Sequence, residues 1–158
     1  MWKSDNLLWR RSLLIFQWCV ASIYFSLFIY VVFFARRRKL ITERHRNLRP
    51  VKGMLQRYHE LAHGDAPAIA AFYENLYGNI VMFIPLPIIM LTLLGFKNRL
   101  LTFAICVGIS AAIELIQYVL VIGIADSDDV ILNAAGAFTG ILLYSVYAWL
   151  FQKRSAIP

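Results

Sequence analysis

Glu114 sits inside an apolar run, with Ser110 four residues before it and Gln117 three after it, so all three project from one face of a helix. A carboxylate at the centre of a lipid-buried helix costs at least ~2.5 kcal/mol, so it turns inward toward a partner, water or a substrate. Further along, Asp126, Asp129, Asn133, Gly136 and Gly140 follow spacings of three, four, three and four residues and draw one stripe along a second helix. If these helices pack antiparallel, Glu114 and Gln117 meet Asp129 and Asn133 near one end, and Asn75 and Asn79, which start another apolar run, come from that end too. Two carboxylates at one depth repel unless a proton, a cation or a basic residue intervenes. Arg49, or a neighbour in the long polar connection, is the candidate counter-charge.

Such a pocket could bind a polar ligand, perform acid/base chemistry or hold a hard cation such as Mg²⁺ on a lipid-linked substrate, or relay protons. A structural role is open to each member as well. Asp126 or Asp128 could cap a helix and complement its dipole, and Gln117 and Asn133 could be interhelical hydrogen-bond glue. No metal centre and no cofactor are expected. His45, His59 and His63 lie in the connection, and Cys19 and Cys106 lie in apolar runs without ligand spacing.

The elements that position these residues follow from composition. Of 158 residues 60% are apolar and 16% charged, too few charges to cover a water-soluble surface. The expected fold is all-α: one integral membrane four-helix bundle over residues 1–158, with spans at about 12–35, 76–95, 100–122 and 128–151. Lys3, Arg10 and Arg11 ahead of the first span resemble a signal peptide, but the apolar stretch exceeds the roughly 7–15 residues of such a segment, so it is read as a retained helix. Pro85 and Pro87 should kink the second span near residues 83–86, and broken backbone at membrane depth must face the bundle interior. Gly136 and Gly140 allow close approach of a neighbour, expected to be the third span through Gly108 and Ala112.

Between the first two spans, Val51, Met54, Leu55, Tyr58, Leu61 and Ala62 recur at helical spacing, predicting an amphipathic interfacial helix at about 51–63. The net charge of +7 is matched to lipid headgroups rather than nucleic acid, because the basic residues cluster at span ends and in this connection. The two membrane sides carry seven cations (termini and the Lys97/Arg99 turn) and nine (Arg36 to Arg57), a raw count that favours the termini outside.

The run IELIQYVLVIGIADSDDVILNAAGAFTG (113–140), together with NLYGNIVMFIP (75–85) and NLRPV (47–51), resembles the VanZ-like family of bacterial membrane proteins. The matching elements are an Asn-Leu-x-Pro motif, an Asn-x-x-x-Asn segment ending in Phe-x-Pro, the Glu114/Gln117 pair and the run from Asp126 through Asp129 and Asn133 to Gly136. Two positions depart from the family: Val51 where Phe is frequent, and Pro87 where Gly is common. The resemblance implies a bacterial cytoplasmic-membrane protein with both termini inside, against the charge count, that reduces susceptibility to the lipoglycopeptide teicoplanin.

Three functions follow as expectations. The first is a non-enzymatic protein acting at the outer membrane boundary, with the bilayer and a teicoplanin-like amphiphile or lipid-linked cell-wall precursor as partners. The second is an intramembrane enzyme using Glu114 and Asp129. The third is a small proton-coupled carrier, for which four spans form little pathway unless the protein oligomerises.

Overall fold

The computed structural model describes residues 2–35, 46–47, 51, 54–55, 58–59, 61, 64, 66–122 and 125–152. Among these residues four helical stretches are long and apolar enough to cross a membrane, Leu8–Phe34, Ala66–Thr92, Arg99–Val119 and Ser127–Phe151, so the chain is a multi-pass, all-α membrane protein.

Helix α1 (Trp2–Tyr30) ends in a wider π turn, Val31–Ala35. It starts earlier than hydropathy predicts, carrying its helix through Arg10 and Arg11. Most of its large apolar side chains, Trp9, Ile15, Ile23 and Leu27 among them, are exposed, as a lipid-facing helix permits because acyl chains are as apolar as leucine. It joins the bundle through its last turns. Phe28 meets Phe83 edge-on at 5.5 Å between ring centres, and the Tyr24 hydroxyl donates to the Met82 carbonyl at 2.8 Å.

The second span is two helices, α2 (Ala66–Phe83) and α3 (Pro85–Thr92), broken at Ile84. The kink falls where the prolines predict it. Pro85 and Pro87 have no N–H to give to carbonyls four residues back, and the Ile84 N–H turns to Val81 O, three residues back, at 3.4 Å. The helix begins about ten residues before the predicted start, because the stretch from Ala66 to Asn75 is helical rather than part of a polar connection.

Helix α4 (Arg99–Val119) is capped by Asn98, whose side chain accepts the Leu101 N–H at 3.0 Å. Helix α5 (Ser127–Tyr147), continued by a π turn over Ala148–Gln152, is the centre of the bundle and packs against α2, α3 and α4. Arg99 lies over the Tyr144 ring at 5.9 Å, so the start of α4 meets the end of α5.

The expected partner of the glycine stripe is corrected by the packing. A Cβ at Gly136 would collide with the Ile80 carbonyl oxygen, and one at Gly140 with the Ile84 carbonyl oxygen, so the stripe receives the kinked second span. Gly108 and Ala112 are exposed, and a Cβ at Gly108 would meet nothing within 4 Å. The broken backbone of the second span needs the closest neighbour, whereas α4 meets α5 through side chains such as Ser110.

Sequence periodicity did not anticipate a pairing at the connection end. Arg46–Asn47 (β1) pairs parallel with Ala125–Asp126 (β2), joining the long connection to the turn before α5. Within the expected interfacial helix, Met54–Leu55 and Tyr58–His59 are helical; most of the intervening positions, like Arg49, lie outside the described residues.

Candidate functional site

The polar groups gather at the end of the bundle where α4 passes into β2 and α5. Asp126 caps α5: its carboxylate accepts the Asp128 N–H at 2.9 Å, satisfying a helix-start donor that has no partner in its own helix. The backbone N–H of Asp126 donates in turn to Glu114 Oε2 at 2.8 Å. Glu114 is 7% exposed, so this bond is made in a low-dielectric setting.

One turn toward the turn end of α4, Gln117 Nε2 donates to the Val32 carbonyl at 2.9 Å. Val32 lies in the π turn ending α1. One turn the other way, Ser110 Oγ accepts from Asn133 Nδ2 at 2.8 Å. Glu114, Gln117, Asn79 and Asn133, with Val32 and Phe83, line a cavity of about 10 Å³, the lower limit for one water molecule. Asn133 is 5% exposed, and its carbonyl oxygen has no hydrogen-bond partner among the described residues.

Asp128 and Asp129 follow the cap and point about 100° apart on the helix. Asp128, 2% exposed, faces the long connection and accepts the backbone N–H groups of Val51 at 2.6 Å and Met54 at 2.9 Å. Asp129 faces α2 and accepts from Asn75 Nδ2 at 3.0 Å. Val51 has a φ of 67°, an unusual conformation for a β-branched residue. The two amides and the β1/β2 pairing hold that backbone at the start of α5.

The structure therefore distributes the sequence-derived residues over adjoining sets. Glu114, Gln117, Asn79 and Asn133 share the small cavity, and Asp126 joins them through its backbone. Asn75 and Asp129 form a pair of their own, half-buried, and Glu114 and Asp129 make their described bonds to different partners. Asp128, read from sequence only as a cap, is the residue that holds the connection. Its signal was the Asp128–Asp129 doublet, which gives adjacent carboxylates two directions. Among the described residues no three His, Cys, Asp or Glu side chains group as a metal site would require.

Beside Asp128 lies a second cavity, about 350 Å³. Its walls are Met54, Leu61 and Gly64 of the connection, the face of α2 bearing Ala68, Ala71, Phe72, Asn75 and Leu76, and Leu132 of α5.

Four spans closed at one end by a hydrogen-bonded polar seam define a multi-pass membrane protein with a buried polar cluster at one end of its bundle. Residues 16–151 match the family model described as VanZ/LLP1, and the chain belongs to that family. It is also similar to Protein VanZ of Enterococcus faecium, 31% identical over 74 residues, which is 47% of this chain and 46% of that protein. The match thus spans about half the length of that relative. No solved structure matches the chain.

Proposed function

We propose that this protein lowers the susceptibility of a bacterium to teicoplanin-type lipoglycopeptides, acting without catalysis at the outer face of the cytoplasmic membrane. Membership of the VanZ/LLP1 family supports the reading. The structural observation that carries it is the meeting of Glu114, Asp126 and Asp128 with the long connection at one end of the bundle, where an amphiphilic drug partitions. In this reading both termini are cytoplasmic, the connection faces outward, and the small cavity of Asn79, Gln117 and Asn133 acts together with the adjoining Asn75–Asp129 pair.

Expression in a susceptible strain tests it. The inhibitory concentration of an acylated glycopeptide rises, while that of a glycopeptide without an acyl chain stays unchanged. Equal protection against both overturns the reading. A cytoplasm-dependent reporter fused to the C-terminus is active in the stated orientation and inactive, though stably expressed, in the reverse one.

A further inference from the structure

We propose that the cavity of about 350 Å³ under the connection seats one acyl chain of an anionic membrane phospholipid. The inference stands on the membrane-spanning fold and goes beyond the drug reading. The volume lies within the roughly 300–1,000 Å³ of ligand pockets, and the walls are apolar apart from Asn75 and Asp128.

Both polar wall residues are engaged. Asn75 donates to Asp129, and the Asp128 carboxylate is turned to the Val51 and Met54 amides. Asn75 Nδ2 and both Asp128 carboxylate oxygens are thus turned to protein partners, and the rest of the wall is predominantly apolar and suits hydrocarbon. Ala68, Ala71, Phe72 and Leu76 lie on one face of α2, Leu132 of α5 is the buried floor, and Met54 and Leu61 form the half-buried roof. The roof is in place because the connection is tied to Asp128. An unfilled apolar cavity forfeits packing on every wall, and a membrane-spanning chain has acyl chains at hand to fill one.

Aromatic and basic residues near the cavity suit a lipid headgroup. Exposed Tyr73 and Tyr77 stack at 5.8 Å, and exposed Tyr58 lies 6.3 Å from Phe72, an aromatic cluster of the kind found at headgroup level. From Arg36 to Arg57 the connection carries nine Lys and Arg against the single acid Glu43, with Lys52 and Arg57 close in sequence to the cavity residue Met54. That balance selects an anionic headgroup.

The test places the full chain in phosphatidylcholine nanodiscs containing phosphatidylglycerol with a photoreactive diazirine in one acyl chain. After photolysis, the peptide bearing Phe72 and Leu76 carries several-fold more label than that bearing the exposed Leu142 and Leu143. Unlabelled phosphatidylglycerol competes it away. Ala71→Trp, which fills the cavity, lowers this label several-fold; Ala68→Phe serves if Ala71→Trp fails to fold. A photoreactive phosphatidylcholine labels the site several-fold less. Equal labelling of both peptides, or label unaffected by a cavity-filling variant of wild-type helicity and thermal unfolding, overturns the proposal. So does equal labelling by the two headgroups, or displacement by an acylated glycopeptide but not by phosphatidylglycerol.

Discussion

The backbone N–H of Asp126 donates to the buried carboxylate of Glu114 at 2.8 Å, so the residue that caps one spanning helix is itself held by a side chain of the preceding one. The bond makes the turn between α4 and α5 part of the bundle rather than a loop outside it. It also places a carboxylate beside the cavity shared with Asn79 and Asn133.

Glu114→Gln and Glu114→Ala separate structure from charge. Glutamine keeps an oxygen for the Asp126 amide, so its thermal unfolding in detergent stays near wild type, while the proposed teicoplanin protection is lost. Alanine leaves the amide buried without an acceptor, at a cost of about 1–3 kcal/mol. Full protection by Glu114→Gln would show that the charge is not used.

Asp128→Ala removes the acceptor of two connection amides. Hydrogen bonds to charged groups contribute roughly 1.5–3 kcal/mol. Hydrogen exchange at Val51 and Met54 should accelerate by about 10- to 100-fold while α4 amides keep their rates. Unchanged exchange would mean that other contacts hold the connection.

Gly136→Leu and Gly108→Leu give opposite outcomes. The first drives a side chain into the Ile80 backbone and costs at least about 1–3 kcal/mol, or prevents folding. The second points into open space and leaves thermal unfolding within about 0.5 kcal/mol of wild type. Equal losses at the two sites would refute the packing of the stripe on the second span.

A side-chain bond from Asn133, in the second turn of α5, to Ser110, in the middle of α4, joins the two helices. A double-mutant cycle of Ser110→Ala and Asn133→Ala, read from unfolding in detergent, should give a coupling of about 0.6 kcal/mol, typical of intramembrane hydrogen bonds. A coupling of zero would assign the contact to packing alone.

The four spans were legible in the sequence because lipid demands a long apolar run around a hydrogen-bonded helix, and that demand is local. The break at Ile84 was legible for a similar reason: Pro85 and Pro87 withhold donors whatever their neighbours are. The buried polar face of α4 showed itself too, since Ser110, Glu114 and Gln117 are costly where they stand and share one helical face.

Only the tertiary structure decided who meets whom. Gly136 and Gly140 announce a close approach but not its partner; that went to the carbonyls of Ile80 and Ile84, presented by a helix the prolines had opened. Asp128 and Asp129 are indistinguishable by residue type, and the path of a connection far away in sequence assigned one to the Val51 and Met54 amides and the other to Asn75. The sequence thus determined which residues must leave the lipid. Their pairing depends on backbone groups that carry no residue identity, so it was set when the helices and the connection came together in space.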